Sequence, residues 1–103
     1  PWCISKGFDE SAPIAPIVPV AAAGNISQAS ISLQVNGQTR QSSHINCMIW
    51  NIAATIAAAS RGWELQAGDL IFTGTPAGVG AVVQGDELVG SISGLPEVRV
   101  RVV

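Results

Sequence analysis

Two hydroxyls and one lysine carry most of the chemical interest of this chain. Thr73 and Thr75 fall in the run Thr73-Gly74-Thr75-Pro76-Ala77-Gly78-Val79-Gly80, which is entered from the apolar triplet Leu70-Ile71-Phe72. The triplet reads as a short strand opened by the Gly68-Asp69 turn. Three glycines and a proline then end it and admit backbone conformations that other residues resist. Such a turn presents backbone N–H groups and hydroxyls to an anion, a carboxylate or a phosphate. Read alone, the run is also the composition of a tight connection without a ligand. It is not a P-loop, because no Gly-Lys-Ser/Thr follows at the required spacing. Lys6 is the only lysine. Held near an anion-binding turn, it can neutralise a substrate carboxylate or a developing oxyanion. Elsewhere it is a solvated surface residue.

The remaining reactive side chains read more plainly. Asp9 and Glu10 are adjacent, and neighbouring acids on an extended segment point to opposite faces, which suits a turn or surface better than a shared metal. His44 is the only histidine. Its offsets from Cys3 and Cys47 match no zinc pattern, so a place in a loop or at a helix entry is expected. The two cysteines stand 44 positions apart and are expected as free, buried thiols in a reducing, cytoplasmic setting. Trp50 and Trp63 flank a helical segment and are expected to anchor a core or an interface.

The elements that position these residues follow from periodicity. Residues 1–23 hold Pro1, Pro13, Pro16 and Pro19, a spacing expected to leave no room for a helix. Over residues 30–41, Ile31, Leu33 and Val35 alternate with Ser32 and Gln34, and Asn36-Gly37 predicts a hairpin turn. Residues 46–60 change period. Met48, Ile49, Ile52, Ala53, Ile56 and Ala59 recur at three- and four-residue steps, predicting a helix with Gly62 as its C-cap. Gly85-Asp86 opens a strand over Glu87–Ile92. Residues 97–103 close the chain with Val98, Val100 and Val102 on one face and Arg99 and Arg101 on the other. The fold class is therefore mainly β with one helix, α+β.

Composition adds bounds. The 103 residues are one domain or part of one, with 48% hydrophobic and only 12% charged residues. A chain of this length buries only ~60–70% of its unfolded surface, so some apolar area is expected to meet missing sequence or another subunit. The first residue is Pro1 and not Met, so an upstream portion is expected. The net charge of −2 with five scattered basic residues argues against nucleic acid as a partner. No apolar run reaches the ~20 residues of a membrane helix.

Taken together, Lys6–Pro13, Val35-Asn36-Gly37-Gln38-Thr39-Arg40-Gln41, Asn46-Cys47-Met48-Ile49-Trp50 and Gly68–Gly80 resemble the fumarylacetoacetate hydrolase family. Their order fits the C-terminal part of its catalytic domain across residues 1–103, and the look is that of the fumarylpyruvate and acylpyruvate hydrolases. The resemblance implies an incomplete mixed β-roll, a homodimer, and Mg²⁺ or Mn²⁺ as cofactor. It implies hydrolysis of a C–C bond in a 2-oxo or β-diketo acid. By the resemblance Lys6 is the catalytic lysine that supports developing negative charge. Thr73 stands at the substrate carboxylate, and Gly74 and Thr75 shape that pocket. The family's metal carboxylates, two Glu and one Asp, would lie upstream of Lys6, so no metal ligand is assigned within this chain. The family's acid–base His and Glu also lie upstream, so His44 does not inherit that role. Cys47 replaces an acidic residue common in the family, and Ala15 and Pro96 replace glycines. Two alternatives stand beside hydrolysis: decarboxylation or isomerisation of a 2-oxo dicarboxylic acid, and a non-catalytic binding or assembly module.

Overall fold

The computed structural model describes residues 1–103. Its centre is a four-stranded antiparallel sheet in the order β2-β1-β3-β4. The strands are β1 (Ser30–Val35), β2 (Gln38–His44), β3 (Glu87–Ile92) and β4 (Val98–Arg101). The β1–β2 hairpin closes through Asn36 and Gly37, both at positive φ (51° and 77°), the pair of conformations a two-residue turn of matching twist requires. The hairpin thus forms where the alternation and the Asn-Gly pair predict it. β2 runs on to His44, three residues past the expected end, and a register shift between Leu33 and Gln34 bends the ladder.

Cross-strand register decides what each face carries. Ile31, Leu33 and Val35 pair with Ile92, Gly90 and Leu88, and Leu88 and Gly90 pair in turn with Val100 and Val98. This gives one apolar face. Glycine at position 90 lets the Val98 side chain close over the sheet, since a Cβ there would meet Val98 Cγ1 at 2.9 Å. The opposite face carries a hydroxyl ladder, in which Ser32 and Ser91 meet Oγ to Oγ at 2.9 Å. On β4, Val98 and Val100 are half-buried and Arg99 and Arg101 exposed, as their alternation predicts.

Helices differ from expectation at both ends of the hairpin. α1 (Trp2–Lys6) and α2 (Val20–Ala23) both lie in the segment expected to exclude helix. Their prolines explain it: Pro1 and Pro19 stand at the N-caps, where a missing N–H costs nothing. The predicted helix over residues 46–60 shortens to α3 (Ile52–Ala59). Asn51 starts it, accepting the Ala54 N–H at 2.8 Å, while Ile45–Cys47 forms a 3-10 turn and Met48 is extended. Ser60 takes the C-cap place expected of Gly62. Leu70-Ile71-Phe72 pairs with no strand, because no neighbouring edge within the chain offers it hydrogen-bond partners.

Only Val35 and Gln41 are buried. Cys3 and Cys47 are free, as expected, yet exposed and not buried. Trp50 and Trp63 are likewise exposed, so neither anchors a core formed by these residues alone. The apolar surplus read from composition is therefore on the surface.

Candidate functional site

The Thr73–Gly80 run does not pair as a strand, yet it has a fixed seat on the outer strand β2. Gly78 stands at φ +105°, and a Cβ there would run into the Arg40 carbonyl oxygen and press on Gln41 Cγ. Only glycine permits that approach. Gln41 Nε2 donates to the Pro76 carbonyl oxygen at 2.6 Å and to Thr75 Oγ1 at 2.8 Å. The turn is thus fastened to β2 by a close backbone contact and by two hydrogen bonds from one amide.

A cavity of about 630 Å³ opens between this turn and the chain leaving β2. Thr73, Gly74, Thr75 and Pro76 form one wall; Ser43, His44, Cys47 and Trp50 lie on the other. The structure therefore brings together the three residues expected to bind substrate and sets His44 opposite them. His44 ends β2 and caps the 3-10 turn, which is the helix-entry place expected of it. No Asp, Glu, Lys or Arg lines this cavity. Its polar surface is hydroxyl and imidazole, so no fixed negative charge repels an anion and several donors stand ready for carboxylate or carbonyl oxygens.

Lys6 lies apart from these residues. It ends α1, is exposed, and belongs to the wall of neither main cavity. Ser11 Oγ donates to its carbonyl oxygen at 3.0 Å, which ties the Lys6–Ser11 bend together. Asp9 and Glu10 sit in that bend and are exposed, Glu10 at φ 61°, in keeping with a turn role.

Nowhere do three His, Cys, Asp or Glu side chains converge. A hard divalent cation asks for several oxygen ligands, so the residues present do not make such a site.

Two features had no role in the sequence reading. One is a second, smaller cavity of about 420 Å³, lined by the Pro13–Val18 segment and the apolar sheet face, including Ile31, Leu33, Ile92 and Val98. Thr75 and Pro76 belong to its wall as well, so they separate the two spaces. The other is Gln41. Its register opposite Leu33, which only the strand pairing reveals, puts a polar side chain on the apolar face.

Comparison with known proteins agrees with this architecture. The family profile "Fumarylacetoacetate (FAA) hydrolase C-terminal" matches residues 1–103. The chain is 45% identical over 102 residues to a fumarylpyruvate hydrolase of Ralstonia sp., covering 99% of this chain and 53% of that protein. It is 38% identical over 102 residues to a mitochondrial oxaloacetate tautomerase of Rattus norvegicus, covering 99% of this chain and 46% of that one. Among solved structures, the fumarylpyruvate hydrolase of Pseudomonas aeruginosa in complex with Mn²⁺ and pyruvate superposes with a TM-score of 0.96 at 53% identity. That match covers 100% of this chain and 44% of the other. The chain spans about half the length of these relatives. Profile, identity and superposition agree with the motifs and the sheet: this chain belongs to the fumarylacetoacetate hydrolase family.

Proposed function

We propose that residues 1–103 act as the C-terminal portion of a catalytic domain that hydrolyses a C–C bond in an acylpyruvate, a β-diketo acid of the fumarylpyruvate type. One observation carries this reading: the Thr73-Gly74-Thr75 wall lies in a fold that superposes at 53% identity on a fumarylpyruvate hydrolase holding pyruvate. In this proposal the Thr73 and Thr75 hydroxyls donate to the substrate carboxylate. Gly74, at φ +92°, bends the chain so that both can face it. Lys6 is the catalytic residue that opposes negative charge on the oxygens of the departing enolate. A divalent cation, Mg²⁺ or Mn²⁺, belongs to the proposal as a cofactor held by carboxylates outside these 103 residues. The working unit is a homodimer, which would cover part of the exposed apolar surface, and the compartment is the cytoplasm. No helix of the chain is long and apolar enough to cross a membrane.

The test is product analysis with the full-length, metal-loaded protein and fumarylpyruvate. Hydrolysis adds one water and releases fumarate and pyruvate in equal amounts, which NMR resolves. A second reading has support in the 38% identity to an oxaloacetate tautomerase. Under it, oxaloacetate would interconvert between enol and keto forms with no bond cleaved and no CO₂ released. Neither reaction with either acid would leave the binding or assembly module.

A further inference from the structure

Gln41 is the only buried polar residue of the chain, 7% exposed. Its amide faces two groups of the candidate site, and their chemistry fixes its orientation. A carbonyl oxygen accepts and never donates, so the atom 2.6 Å from the Pro76 oxygen is the amide nitrogen. The second hydrogen of that nitrogen goes to Thr75 Oγ1 at 2.8 Å. Thr75 Oγ1 is thus an acceptor toward Gln41, and its own hydrogen points away from the amide. Gln41 lies on the wall of the smaller cavity only, whereas Thr75 faces both. That hydrogen is free to turn to the larger cavity, whose wall Thr75 shares with Thr73 and His44.

We propose that Gln41 is a positioning residue that holds the Thr75 hydroxyl as a hydrogen-bond donor into the larger cavity, so that the site meets a carboxylate oxygen with its donor already aimed. This rests on the acylpyruvate reading of that cavity. A free threonine hydroxyl rotates and serves as donor or acceptor alike; here one of its acceptor positions is used and the donor role is left for the ligand. Aiming the donor in advance removes the cost of ordering it on binding.

The test uses the full-length protein loaded with Mn²⁺ and measures the dissociation constant of pyruvate by calorimetry. Gln41→Glu keeps the shape but offers a carboxylate, which draws the Thr75 hydrogen back to itself. Pyruvate affinity is expected to fall about 10- to 100-fold, the worth of a hydrogen bond to a charged group. Thr75→Val should cost a similar factor, and adding Gln41→Glu to Thr75→Val should cost little more, because the same donor is already gone. Independent, multiplying losses would overturn the proposal, as would wild-type affinity in Gln41→Glu. Should Gln41→Glu fail to fold by circular dichroism, Gln41→Met carries the same cycle with the same two outcomes. A wild-type protein that bound no 2-oxo acid would overturn the acylpyruvate reading and this proposal together; normal wild-type binding with an additive cycle would overturn this proposal alone.

Discussion

Asp86 shows how a single half-buried carboxylate can serve a hairpin. The Val83 N–H donates to its Oδ2 at 2.9 Å and Asn36 Nδ2 donates to its Oδ1 at 2.8 Å. The Val83 backbone bond foremost, then the Asn36 amide, with a smaller pull from the Arg40 charge, hold its carboxyl below the ordinary aspartate value. A depressed folded-state value means the stabilisation is present above the ordinary aspartate value and is lost as pH falls through the lowered one. Asp86→Asn should therefore flatten the acid side of the stability curve, read as urea midpoints across that range. An unchanged acid slope would remove Asp86 from this role. Lys6 poses a different question at the same scale, since it lies outside both cavity walls. Lys6→Ala in the full-length protein is expected to cut turnover at least ~100-fold with a thermal midpoint within a few degrees of wild type. Equal losses in both would return Lys6 to a structural role. The threonines of the site were legible as residues, because Gly, Pro and hydroxyls in one short run restrict what the chain can do. Gln41 was not, since its meaning depends on a register that only pairing reveals.

At the scale of elements, the turn Thr73–Gly80 depends on Gly78. Its φ of +105° and the Arg40 carbonyl oxygen in the path of any Cβ leave no room for alanine. Gly78→Ala should lift the turn off β2, cost about 1–3 kcal/mol of stability, and weaken 2-oxo acid binding in the full-length protein. Urea unfolding and calorimetry check the two effects; a neutral Gly78→Ala would show the turn to be loosely held. The hairpin was readable because its signals are local: alternation and Asn-Gly lie within a dozen residues. Leu70-Ile71-Phe72 was not, because a strand is defined by a neighbour and no edge in this chain meets it. The start of α3 was misplaced because apolar spacing runs on through Met48 and Ile49, whereas the Asn51 side chain sets the cap. The prolines misled in the same region of argument: Pro19 forbids helix before it and permits helix after it.

For the whole molecule, the balance of inside and outside is the main fact. With 48% hydrophobic residues and only two residues buried, the chain shows large side chains such as Trp2, Ile49 and Trp63 to solvent. Exposure of so many large apolar side chains is what surfaces that meet other protein show. The 103 residues alone are expected to bind no Mg²⁺ or Mn²⁺ tightly and to turn over no acylpyruvate, because no cluster of metal-ligating side chains exists among them. Micromolar binding of either ion in a calorimetric titration of this segment would contradict that. Composition announced the apolar surplus; where it lies was beyond composition, and its large exposed side chains fall in the helices and connecting segments and not in the strands.

The Asn36-Gly37 corner also bears on how the protein ages. Asparagine followed by glycine is the pair most prone to lose ammonia, as the glycine nitrogen attacks the side-chain amide. In the folded chain that amide is occupied at both ends, donating to Asp86 and accepting the Glu87 N–H at 3.0 Å. Chemical decay is thereby slaved to opening of the hairpin. Once it has happened, a carboxylate replaces the amide that donates to Asp86, and a contact that closed the sheet becomes one that pushes it apart.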